Sequence, residues 1–182
     1  MSTVADRFRS VAQTFTDRVE GVEDWDAPAP CEGWVARDVV GHVVEWVPGF
    51  LAMGLGTEPV TFPDVADGPG EAWAACRDHV QGLLDDPSVT ETTFHAPQMG
   101  DMPLDVAIER FILGDVLVHT WDLARATGQD DTIDAAEAQG MFIGMEPMAD
   151  MLAQSGQFAP RKPVADDASY QDRLIALTGR TP

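Results

Sequence analysis

The chain has 182 residues, enough for one ordinary domain with a real core, and its 45% hydrophobic content is that of a globular protein. Eleven Lys and Arg against 31 Asp and Glu leave a formal charge of −20, which argues against binding nucleic-acid phosphate or an anionic membrane surface. No apolar run reaches the roughly 18–20 residues of a bilayer span, and two cysteines, Cys31 and Cys76, form neither a disulfide framework nor a zinc-finger spacing.

The N-terminal stretch MSTVADRFRSVAQTF carries charges through its apolar pattern and so lacks the core of a signal peptide; a reducing cytoplasm is the expected compartment. From Val4 to about Val22 the apolar residues Val4, Phe8, Val11, Phe15 and Val19 recur in steps of three and four, predicting a helix with one buried stripe. Two prolines and a glycine between Trp25 and Trp34 predict an ordered loop pinned by its tryptophans. A second helix is expected over about 35–54, apolar on most sides and kinked or shortened at Pro48 and Gly49. After a connector from Thr57 to Gly70, a third helix is expected from Glu71 to Leu84. Thr90 to Phe94 has β-propensity with a turn at Gly100, which predicts a short extended excursion or a hairpin. The fourth helix is expected over about 103–127, closed near Gly128. A fifth runs from Asp134 to Gln154 and is interrupted by Pro147, and a short last helix spans Gln171 to Thr178. The reading is an all-α, single-domain helix bundle over 1–182, with at most a short β excursion.

The strongest chemical signal is Asp115-Val116-Leu117-Val118-His119. Spacing of i and i+4 places a carboxylate and an imidazole one above the other on one helix face, where they can chelate one ion. The helix around them is apolar, and a buried carboxylate needs a partner; a satisfied Asp115–His119 core pair is the bland alternative. His42, in the middle of the second helix, adds a third donor. Two His and one carboxylate with open positions is a recognised way to hold a reactive divalent metal. Asp38, one turn before His42, either orients that ring or acts as a first-turn acid favoured by the helix dipole.

The stretch from Trp25 through Pro28-Ala29-Pro30-Cys31-Glu32-Gly33-Trp34-Val35-Ala36-Arg37-Asp38-Val39-Val40-Gly41-His42 resembles the start of the mycothiol-dependent maleylpyruvate isomerase-like proteins of actinobacteria, within the DinB/YfiT-like superfamily. Asp115-Val116-Leu117-Val118-His119-Thr120-Trp121-Asp122-Leu123-Ala124-Arg125-Ala126-Thr127-Gly128 is similar to the same group's second metal motif. The ending Gln171-Asp172-Arg173-Leu174-Ile175-Ala176-Leu177-Thr178-Gly179-Arg180 is similar to an uncharacterised actinobacterial subgroup. The resemblance implies an up-and-down four-helix bundle with an added C-terminal helix. It implies a metal at His42, Asp115 and His119, and use of mycothiol or a similar thiol for isomerisation or S-transfer to a small electrophile. Zn²⁺ is the first choice of ion, and Ni²⁺ and Fe²⁺ suit the same ligands. Two positions depart from the pattern: the isomerase branch commonly has Glu, and many relatives His, where this chain has Asp115, and a Ser or Thr cap is often found where Val35 stands.

Other residues carry weaker signals. His79 is expected on a solvated face. His95 lies in Phe94-His95-Ala96-Pro97, near Met99 and Met102, either as decoration or at a pocket mouth. Cys31 is either a small buried hydrophobe or a thiol activated near a helix N-terminus, and Cys76 is core. The Met141–Met151 stripe reads as packing or an adaptable contact surface. Arg110 and Arg125 are candidates for an anionic substrate group, and Trp121-Asp122 is expected to anchor the end of its helix. Two functions compete: a metal- and thiol-dependent transferase or isomerase, and a non-catalytic metal- or ligand-binding protein, with a homodimer as one form. A purely structural network of His42, Asp115 and His119 is the third reading.

Overall fold

Thr3 opens the first helix of the computed structural model, which describes residues 2–96, 100–154 and 158–182. In α1 (Val4–Glu20) the Thr3 hydroxyl accepts the Asp6 N–H at 3.1 Å and the Asp6 carboxylate accepts the Thr3 N–H at 3.3 Å. This reciprocal cap satisfies two donors that a helix start leaves orphaned. Phe8, Val11, Phe15 and Val19 are buried as the spacing predicted.

The second helix, α2 (Ala36–Leu55), is neither shortened nor broken at Pro48. An interior proline removes one backbone bond and costs about 3 kcal/mol. Val43, Val44, Val47 and Leu51 around it are all buried, and the helix packs on two others, so tertiary burial outweighs the local defect. Val35 at its start has no side-chain acceptor. Instead the Asp38 carboxylate accepts the Val35 N–H at 2.9 Å, which makes Asp38 a first-turn acid rather than a partner of His42.

Helix α3 (Pro69–Asp85) and the single turn α4 (Pro87–Thr90) lead into the expected hairpin, β1 (Thr93–Ala96) antiparallel to β2 (Gly100–Pro103), with Phe94 opposite Met102. Phe94 is fully buried, and its ring lies where a Cβ on Gly54 of α2 would stand, so this approach requires glycine. The expected fourth helix is one rod in three parts: α5 (Leu104–Ala107), a π-helical turn (Ile108–Leu113) and α6 (Gly114–Thr127). Gly128, at φ +68°, closes it with an N–H to the Ala124 carbonyl. The fifth splits as Pro147 requires into α7 (Ala135–Met145), a 3₁₀ turn (Glu146–Met148) and α8 (Ala149–Gln154); α9 (Tyr170–Leu177) follows.

Helix α1 packs on α3 and α6, and α2 packs on the same two, so α1 and α2 face each other across the diagonal of a four-helix bundle. Phe15 and Trp73 meet edge to face at 4.6 Å, and the Trp73 indole N–H donates to Thr16 at 2.8 Å. Outside the bundle α9 packs on α7. Arg7 of α1 bonds Glu109 of the π turn and grips Glu137 of α7 at 2.7 and 2.6 Å. The helical bundle with an added C-terminal helix and a short β excursion is thus the architecture formed. Among the described residues, no helix is long and apolar enough to cross a membrane.

Candidate metal centre

Because α2 and α6 are neighbours, His42 in the second turn of α2 faces the first turns of α6. Oδ2 of Asp115 stands 3.5 Å from Nε2 of His42, and Oδ1 stands 3.4 Å from Nε2 of His119. One donor atom from each residue lies within 4.8 Å of the others. Two ligands bound to one ion at about 2.0–2.1 Å are themselves roughly 3–3.5 Å apart; Asp115 stands at that spacing from each imidazole, which makes the three side chains a candidate set for a divalent cation. His42 is 37% exposed, Asp115 24% and His119 6%, so the group is closed at His119 and opens to solvent most at His42.

A second layer fixes these groups. The indole N–H of Trp46 donates to Oδ2 of Asp115 at 2.9 Å. The Trp34 ring lies 5.2 Å from that of His42 and stacks on that of His119 at 5.9 Å. Nδ1 of His119 bonds Oδ2 of Asp122 at 2.8 Å, which leaves Nε2 facing Asp115. Asp122 is fully buried and is gripped by Arg180, Nε to Oδ1 at 2.7 Å and Nη2 to Oδ2 at 2.6 Å. Cys31 Sγ stands 3.6 Å from Asp122 and 3.4 Å from Arg180. Cys31, His119 and Asp122 are also close enough to share an ion. Both Asp122 oxygens are already held by Arg180, however, so His42, Asp115 and His119 are the group with donors to spare.

The charges reinforce one another. Burial alone would lower the His119 pKa, but the carboxylates of Asp115 and Asp122 outweigh it and push it up to about 9. Burial would raise Asp115, yet His119 and then His42 hold it well below the usual carboxylate range. Asp122 is also lowered, its bonds to His119 and Arg180 overcoming burial. Cys31 is pushed up to about 11, by burial first and then by Asp122.

The profile of the mycothiol maleylpyruvate isomerase N-terminal domain family matches residues 8–124. The chain belongs to this family. Its fold is accordingly the DinB-like bundle. Two relatives, the uncharacterized proteins MT0763 and Rv0738 from two strains of Mycobacterium tuberculosis, are each 33% identical over 159 residues, spanning 85% of this chain and 84% of the relative. No solved structure gives a significant match. The family span contains His42, Asp115, His119 and Asp122 and ends well before Arg180.

Several residues singled out in the sequence outside the His42, Asp115 and His119 group have other surroundings than expected. Asp122 does not merely anchor a helix end; it is the buried partner of His119, and the i, i+3 spacing was the available signal. Arg180 had no signal beyond its place in a resembling tail. Cys31 is neither an activated thiol nor a hydrophobe but a member of the Asp122–Arg180 cluster. Arg125 covers the Trp121 ring at 5.0 Å and bonds Asp131, which occupies it with the helix end. Arg110 is exposed. His95 is exposed and bonds Asp101 across the hairpin at 2.9 Å; Pro97 and Met99 lie outside the described residues. His79 is half-buried against Phe62 rather than solvated, and burial lowers its pKa. Cys76 is core, pushed up to about 12 by burial. Met141 and Met145 pack against the core, whereas Met148 and Met151 are exposed.

Proposed function

We propose that this family member is a divalent-metal protein whose centre is held by His42, Asp115 and His119. Its proposed role is to activate a low-molecular-weight thiol, mycothiol or a similar one, for transfer to or isomerisation of a small electrophile. The observation that carries the reading is the Asp115 carboxylate standing between two imidazole Nε2 atoms, at 3.5 and 3.4 Å, while Asp122 holds the far nitrogen of His119. Zn²⁺ is the first choice, and Ni²⁺ and Fe²⁺ suit the same donors. A bound ion would supply a lowered thiol pKa, since the thiolate is the nucleophile. The chain's own residues supply the surroundings. His42 marks the open side, and Trp34, Trp46, Phe50 and Phe111 continue from it as a partly exposed aromatic wall suited to the carbon skeleton of a substrate.

A non-catalytic binding role is the second reading, and one observation favours it. Arg180 is committed to Asp122, and Arg125 to Asp131 and the Trp121 ring, so neither offers a free cation to hold an anionic substrate. Metal content of purified protein beside a His42→Ala, His119→Ala double variant tests the centre. Near one equivalent in the parent and almost none in the variant is the expected result; a parent that neither carries nor takes up Zn²⁺, Ni²⁺ or Fe²⁺ would refute it. Turnover of thiol with an activated electrophile, lost in the variant, then separates the enzyme from the binding protein.

A further inference from the structure

The tail after α9 enters the bundle by a sequence of specific contacts. Leu174, Ile175, Ala176 and Leu177 of α9 are all buried. Gly179 turns the chain at φ +86°, and a Cβ there would fall 2.6 Å from the Ala159 carbonyl oxygen, so only glycine makes this turn. The Arg180 N–H returns to the Ile175 carbonyl at 3.2 Å. The guanidinium, 12% exposed, is thereby delivered to the fully buried Asp122 58 residues earlier in the chain. Two parallel charge-assisted bonds fix a carboxylate in rotation as well as in place, and Oδ2 of that carboxylate holds Nδ1 of His119.

We infer that Arg180 is a positioning residue for the metal centre: through Asp122 it sets the ring orientation of His119, so the docked C-terminal segment completes a site whose other parts come from the bundle. The inference rests on His119 being a ligand for its meaning in function, but not for its test. A buried carboxylate released from its cation loses its fixed orientation, and its hold on the imidazole goes with it. A charge alone does not reproduce the grip, because an ammonium is a single point where the guanidinium is a planar fork.

The test compares the parent with Arg180→Met and Arg180→Lys by two measurements. In metal-free protein, the ring N–H of His119 bonded to Asp122 is expected as a low-field proton resonance, assigned with a His119→Gln control. It should be lost in Arg180→Met and weakened in Arg180→Lys, while helix content stays unchanged. In chelator competition with Zn²⁺, affinity should fall about 10–100-fold in Arg180→Met and less in Arg180→Lys. If Arg180→Met fails to fold, the Lys variant carries both measurements. A folded variant that keeps the parent's resonance and its Zn²⁺ affinity would overturn the inference. A parent that binds no metal yet loses the resonance in the variant would refute the metal reading and leave the positioning role standing.

Discussion

The Trp46 indole N–H reaches the same Asp115 oxygen that faces His42, at 2.9 Å. Both residues around this oxygen come from one helix: Trp46 is one turn after His42, so α2 supplies one donor to the proposed ion and the orientation of another. Trp46→Phe keeps an aromatic ring and removes the N–H. The expected result is a loss of Zn²⁺ affinity of about tenfold with thermal stability little changed. Isothermal titration beside a melting curve checks it; unaltered affinity would show that Asp115 needs no such restraint.

The proton on His119 sets the pH behaviour of the metal-free protein. Its folded pKa, about 9, lies above the unfolded value near 6.5 because Asp115 and Asp122 overcome the effect of burial. A raised value means that the stabilisation is complete below about pH 6.5 and is lost as pH rises through 9. The Tm of chelator-treated protein should therefore fall over that window. An ion that replaces the proton should reduce the drop, and uptake at neutral pH should release about one proton per ion. A level metal-free Tm across the window would contradict the charge arrangement.

Cys31 should react slowly. Burial and the Asp122 carboxylate push its thiol up to about 11, so little thiolate exists at neutral pH, and the thiolate is the attacking form. Alkylation of native protein near pH 7.5 should be at least about tenfold slower than that of a free thiol. Both cysteines should react once the chain is denatured. Rapid native labelling mapped to Cys31 would show that it is neither buried nor shielded as described.

Arg7 ties three elements together, and its removal strands Glu137, whose side chain is only 12% exposed. Arg7→Ala should destabilise the fold by about 1–3 kcal/mol, the penalty of an unpaired, partly buried charge. Urea unfolding measures it, and pairing the change with Glu137→Ala should recover part of the loss.

Much of this was legible in the sequence because periodicity reports burial directly. The α1 stripe from Phe8 to Val19, the close at Gly128 and the i, i+4 pair Asp115–His119 all follow from local rules. Three features were not legible. Pro48 is a breaker locally, and only the packing of α2 on α3 and α6 overrides it. The π turn at Ile108–Leu113 adds no special residue to the pattern, so nothing marked it before the fold was seen. The Asp122–Arg180 pair joins positions that no spacing rule connects.

Trp34 lies flat over one imidazole and tilted over the other. An indole so placed is also an optical probe built into the protein. An open-shell ion such as Ni²⁺ seated between those rings should quench its emission, whereas Zn²⁺ should alter emission without extinguishing it. Filling of the site can thus be read from intrinsic light, with Trp34→Phe separating its share from that of Trp46, which bonds Asp115, and the same signal tells a closed-shell ion from an open-shell one.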